Sequence, residues 1–474
     1  MPDQTHAFGG GISDTILSPI VLVAMLIAMI LILVLPRKYI LVPVLVSIIL
    51  IPLGQQVYLI GVHWLVSRLI TLCGLARIAV MKFRSKKDVS AGGFNAVDRA
   101  FLGCAICETI GFALQYMQAQ ALVNQFGILI DTLGAYCLMR VLIQNEKDIY
   151  RALKVLALLT VVLAGCMARE QATIKNVFGY LGGIQLVPEV REGKIRSQGS
   201  FEHSLTAGTF AAMLLPLFFL LWRNGKAKSM ALCGVVGCTV MTMCSNSSTP
   251  LLTYVAGVLG MLLWPIRKHM RAVRWGIVIG LLALNVVMKA PVWFIIAHID
   301  LTGGSSGYHR AELVDQFIRH FRDWWLIGTK DAANWGWDMW DQQNQYVNVG
   351  EGGGLAAFVL FIVVISRACG RIGKARRSVE GSKREWLLWF LGCSLFANLV
   401  GFFGVNYFDQ AKLGWFVLLA MISAATAPVL QMNASKALPN IQEEITNRSP
   451  VPYPCETPAI ADSTHGDWVG LRLG

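Results

Sequence analysis

"TILSPIVLVAMLIAMILILVLPRK", residues 15–38, is apolar without a break from Ile20 to Leu35 and then closes on Pro36, Arg37 and Lys38. At about 1.5 Å per residue, a helix over 15–35 reaches across a hydrocarbon layer of roughly 30 Å. The block is too long for a signal-peptide core and lacks a small-residue cleavage site, so it reads as a retained anchor. The pattern repeats along the chain. Of 474 residues, 55% are apolar and only 15% charged, well below the quarter usual for soluble domains. The fold class expected is all-α, a polytopic helical membrane protein.

About thirteen spans are expected, within a range of twelve to fourteen. They cover 15–35, 39–53, 58–81, 99–118, 126–143, 152–168, 204–222, 229–245, 250–265, 275–297, 352–368, 386–406 and 411–430. The net charge of +13 gathers in "PRK" at 36, "KFRSKK" at 82, "RNGKAK" at 223, "RKHMRAVR" at 267 and "RACGRIGKARR" at 367. All five fall on one side of the count. Lys and Arg in short loops mark the cytoplasmic face, which puts the N-terminus outside and the C-terminus inside. This placement speaks against a nucleic-acid partner. The domains expected are an N-terminal bundle (1–168), a first outer loop (169–203), further spans (204–297), a large outer loop (298–351), C-terminal spans (352–430) and a disordered cytoplasmic tail (431–474).

Eleven cysteines carry little information. Most, including Cys73, Cys137, Cys233, Cys238 and Cys393, sit inside apolar blocks. The "CAIC" of Cys104 and Cys107 lacks the βαβ context of a redox motif. No metal-ligand spacing is seen. Within the spans, Arg68, Glu108 and Asp131 stand out among the ionisable residues, with His63 near an end. Buried charge in a membrane seeks a partner, and Arg68 is expected to pair with Glu108 or Asp131.

Both outer loops are basic and aromatic. In "SSGYHRAELVDQFIRHFRDWWLIGT", residues 305–329, a helix is expected from Ala311, capped by Ser305 or Ser306. Its apolar stripe is Val314, Phe317, Ile318, Phe321 and Trp325. Arg310 falls on the stripe, whereas Arg319 and Arg322 do not. A guanidinium on a buried face near a helix start suits an anion such as a diphosphate; an ion pair with Glu351 is the structural alternative. Trp324, Trp325, Trp335, Trp337 and Trp340 fit either a membrane interface or stacking on sugar rings. The first loop gathers Arg191, Lys194 and Arg196 just before a span.

The ordered series "RSQGSFEHSLTAG" (196–208), "SSGYHR" (305–310), "WWLIGT" (324–329) and "WGWDMWDQQNQYVNVGEGGGL" (335–355) resembles the O-antigen ligase and polymerase superfamily of bacterial membrane glycosyltransferases. The resemblance covers roughly residues 190 to 370 in motif detail. It implies a donor glycan on undecaprenyl diphosphate, an inner-membrane location, and transfer to a sugar hydroxyl with no metal or cofactor. It assigns the diphosphate to Arg196 and Arg310. Ligases of the family carry a His-Asn pair in the stretch that here reads "DQQNQYV", with Gln343 in the histidine position before Asn344. Glutamine is no general base, so the chain is expected to be polymerase-like, with Glu351, His203 and His309 as candidate bases and Asp338 and Asp341 behind them. The expected partners are a lipid-linked oligosaccharide, membrane lipids and other polysaccharide-assembly proteins. The alternative is a non-catalytic transporter or assembly subunit for the same glycans.

Overall fold

The computed structural model describes residues 15–59, 61–84, 90–298 and 307–447, with the side chains of residues 84 and 433–447 left aside. The chain divides into two compact units, Met1–Gln431 and Met432–Gly474, and the site lies in the first. Helices dominate. The N-terminal half contains α1 (Pro19–Val34), α2 (Arg37–Leu50), α3 (Val66–Arg84), α4 (Ala96–Tyr116), α5 (Ala119–Leu129), α6 (Ala135–Leu142) and α7 (Glu146–Thr173). Then come α8 (Ser204–Arg223), α9 (Lys228–Cys244), α10 (Ser248–Leu262) and α11 (Met270–Val287). The second long loop carries α12 (Gly307–Arg319) and α13 (Phe321–Trp324), and α14 (Gln345–Ser378), α15 (Lys383–Gly401) and α16 (Gln410–Asn447) follow.

Among the described residues, six helical segments are long and apolar enough to cross a membrane: Ala119–Leu142, Glu146–Thr173, Ser204–Arg223, Trp264–Val287, Gln345–Ser378 and Gln410–Met432. Shorter apolar helices accompany them at α1, α9 and α10. Helix α8 and the Gln410–Met432 part of α16 are largely apolar and form the buried middle. Helix α4 lies along α14, α9 along α7 and α8, and α10 along α15 and α8.

Several boundaries differ from the sequence expectation. The block expected to span from 58 begins with a hairpin, β1 (Gln56–Leu59) paired to β2 (Val62–Leu65), and only α3 is helical. Its alternating "QVYL" and "VHWL" suit a strand pair as well as a span. The block at 126–143 is interrupted by a π turn over Ile130–Gly134 between α5 and α6. The span expected to reach 297 stops at Val287, before a short 3₁₀ segment. The segment expected as a tail from 431 stays helical to Asn447; Ala, Gln and Glu sustain it. Residues 448–474 lie outside the described residues, as do Ser305 and Ser306, the expected caps.

Buried charge ties the helices together. Asp98 closes a capping box with Asn95 at the start of α4 and accepts from Arg140 of α6 at 2.7 and 2.8 Å, with the Tyr136 hydroxyl donating as well. Both ionic partners are 4% exposed. Arg68 pairs with Asp131, its closest N–O distance being 2.6 Å, which selects one of its two expected partners. Removing one half of a buried pair strands the other. Arg140→Met is therefore expected to cost about 3–5 kcal/mol, read as a lower unfolding midpoint in detergent. The double variant Asp98→Leu/Arg140→Met should lose less than the single one.

Candidate functional site

The first long loop is held by a buried carboxylate. Glu170, fully buried near the end of α7, accepts from the backbone N–H groups of Gln198 (3.1 Å) and Gly199 (3.0 Å). Around it, Ser197 Oγ donates to Gln171, Ser200 Oγ to the Ile49 carbonyl, and Asn176 Nδ2 to the Gly199 carbonyl. Gly199 has φ +62°, a conformation glycine adopts freely. The motif "RSQGS" is thus a backbone knot that fixes its leading arginine.

That arginine, Arg196, ends β4 (Lys194–Arg196), which pairs with β3 (Glu189–Arg191). Its Nη1 donates to Glu189 at 2.8 Å and its Nη2 to Ser247 Oγ at 3.4 Å. Its buried Nε has no partner among the described residues.

The second long loop builds a small core of its own. Leu313, Phe317, Trp324, Met339 and Val347 pack together, with Phe317 and Trp324 stacked at 4.0 Å. A Cβ at position 350 would meet the Phe317 ring at 2.4 Å, so Gly350 lets α12 approach α14. This contact sets the phase of α12. Its buried face is Arg310, Leu313 and Phe317, whereas Ile318, Phe321 and Trp325 of the expected stripe are exposed. Trp324 is a core residue rather than an interfacial or sugar-stacking one; Trp337 and Trp340 are exposed.

The turn over "WWLIGT" docks on the start of α14. Gly354, at φ +71°, kinks the helix. Thr329 N–H donates to the Glu351 carbonyl and Leu355 N–H to the Trp325 carbonyl, both at 2.8 Å. Gln115 of α4 adds a side-chain donor to the Ile327 and Glu351 carbonyls.

Arg310 is 7% exposed and donates through Nη2 to Gln343 Oε1 at 3.3 Å; its Nε is buried without a partner among the described residues. Its partner is Gln343, not Glu351. With Ser248, Thr249 and Gly404 it lines a cavity of about 40 Å³. Both arginines therefore converge on the N-terminus of α10, Arg196 through Ser247 and Arg310 through Ser248 and Thr249. Ser247, the N-cap, makes no capping bond to its own helix. Burial pushes the Arg310 guanidinium down to about 10, as do the charges of Arg196 and Arg191, while Asp341 opposes them. It stays protonated at neutral pH. Guanidinium groups gathered at the positive end of a helix favour an anion.

The other candidates separate. Glu351 is buried in α14; one carboxylate oxygen accepts from Gln342 Nε2 and the other has no partner among the described residues. Gln343 donates to Asp341. Asn344, expected at an acceptor site, is the buried N-cap of α14, accepting from Tyr346 N–H and Val347 N–H. His309 lies with its Nε2 at 3.2 Å from the Asp341 carbonyl. His203 is exposed, edge-on to Phe408 at 5.5 Å, and opens onto a cavity of about 610 Å³ shared with Glu189, Gln198 and Glu202. Arg196 reaches from Glu189 in that wall to Ser247 beside the Arg310 cavity.

Sequence reasoning missed Lys412 and Asp409. Lys412 lines two cavities, of about 310 and 360 Å³, one with Glu108, Gln345 and Asn348, the other with Arg68, Asp131 and Asp409. The signal was present in "DQAK" at 409–412, polar residues opening an apolar span.

No protein-family model matches the chain, and no curated protein matches it either.

Glu170→Ala would leave two buried N–H donors unanswered. It is expected to cost about 1–3 kcal/mol, measured by thermal unfolding in detergent, and to raise proteolysis within residues 189–200.

Proposed function

We propose that the protein is a membrane glycosyltransferase joining saccharide units carried on undecaprenyl diphosphate, polymerase-like, in O-antigen or exopolysaccharide assembly. The observation that carries this reading is the convergence of Arg196 and Arg310 on the N-terminus of α10, each with a buried Nε that has no hydrogen-bond partner among the described residues. Such an array has too few carboxylates of its own and suits a diphosphate. The motif series resembling the O-antigen ligase and polymerase superfamily supplies the glycan and the carrier. In this reading the helices cross the bacterial inner membrane about thirteen times, with the Lys- and Arg-rich turns cytoplasmic and the N-terminus outside.

The acceptor hydroxyl oxygen bonds to the anomeric carbon as the bond to the diphosphate oxygen breaks. The two arginines and the α10 dipole stabilise the departing charge. His203 accepts the hydroxyl proton: of the three candidate bases it is the exposed one, and its cavity adjoins Arg196. Gln343 in the ligase-histidine position favours the second reading, an assembly subunit or transporter for the same glycans.

Protein in lipid discs, given the host's lipid-linked saccharide, should release undecaprenyl diphosphate and lengthen the glycan. Arg196→Ala or Arg310→Ala should slow release by about 10²–10³-fold. Arg319→Ala, which removes an exposed guanidinium paired with the buried Asp315, should stay near wild type. His203→Asn is expected to slow turnover by about 10²–10⁴-fold while leaving donor binding intact. No carrier release from authentic substrate would hand the protein to the second reading.

A further inference from the structure

His309, Asp338 and Asp341 come together although they lie on different segments, the first on α12 and the others in the loop before α14. An imidazole nitrogen and one oxygen from each carboxylate lie within 4.8 Å of one another, all three residues partly buried. The protonation of the ring follows from its neighbour. A carbonyl only accepts, so the contact from His309 Nε2 to the Asp341 carbonyl puts the proton on Nε2. Nδ1 then carries a lone pair. It is buried and has no hydrogen-bond partner among the described residues, a costly state for an acceptor.

We propose that His309, Asp338 and Asp341 hold one divalent transition-metal cation, Mn²⁺ or Zn²⁺. Metal-binding histidines commonly donate their second N–H to a backbone carbonyl, which is the arrangement of His309. Gln343 Nε2 orients the Asp341 carboxylate in the same way. Ligand bonds of about 2.0–2.2 Å place tetrahedral donor atoms roughly 3.3–3.6 Å apart, so binding draws the three side chains together. The imidazole disfavours Ca²⁺ and Mg²⁺, which prefer oxygen throughout. Two carboxylates neutralise the ion's charge. Bound there, the cation pins the loop to α12 and fixes Asp341, hence Gln343, against Arg310. It is a loop-organising ion beside the anion site, and its existence does not depend on glycosyl transfer.

The test needs no glycan. Chelator-stripped protein in detergent is titrated with MnCl₂, free Mn²⁺ being followed by electron paramagnetic resonance, and with ZnCl₂ against a chromophoric chelator. One equivalent should bind to the wild type and raise its unfolding temperature. His309→Ala, Asp338→Asn and Asp341→Asn, each eluting as the wild type does, should weaken binding at least about tenfold. Unchanged binding in those variants, a preference for Ca²⁺ or Mg²⁺, or no saturable binding to the wild type would each overturn the assignment. If a variant fails to fold, the wild-type titration alone decides.

Discussion

Helix α14 has a broken hydrogen-bond ladder, and the half of the molecule that holds the site is organised around repairing it. In an apolar surrounding every backbone N–H and C=O must find a partner within the protein. The kink at Gly354 leaves the Glu351 carbonyl and the Leu355 N–H facing outward, and the turn around Gly328 answers both. Gly328 itself has no room for a Cβ, which would sit 2.0 Å from the Glu351 carbonyl. The glycines of "WWLIGT" and "GEGGGL" are thus two halves of one contact. Once it is made, α12 is held on α14 and Arg310 is turned inward.

The two arginines are positioned by opposite means. Arg196 is placed by polar bonds, through the knot around Glu170. Arg310 is placed by apolar packing, through Leu313 and Phe317. Neither loop supplies the surface they meet on, which is the start of α10. A cap residue, Ser247, faces an arginine instead of its own helix, and this is the local departure from ordinary helix chemistry that marks the spot.

Much of this was legible in the residues. Most of the apolar blocks coincide with helix over most of their length, because a long run without charge favours a buried helix. Arg68 found one of its two named partners, and Arg310 fell on the buried face as its spacing implied. What misled was α12, which has two apolar faces one residue out of phase. Val314 and Ile318 compete with Leu313 and Phe317, and only the space opened by Gly350, far along the chain, decides between them. The hairpin before α3 was hidden because "QVYLIGVHWL" (56–65) is as apolar as a span. Asn344 looked like a site residue, yet capping α14 uses its side chain. The grouping of His309 with Asp338 and Asp341 was beyond spacing rules, since close contact across a long loop leaves no local signature.

The start of α14 is clipped three ways. Asn344 caps it, Gln345 N–H donates to the Phe402 carbonyl, and Tyr407 N–H donates back to Gln345 Oε1. The residue just before these clips holds Arg310. The loop that carries α12 is therefore no detachable module: its register is dictated by the turn between α15 and α16, far away in sequence. Transplanting 298–351 into another bundle would carry the arginine but not its aim. The portable unit is the loop together with the 402–407 turn and the first turn of α10, three separate pieces that any attempt to re-specify this surface must move as one.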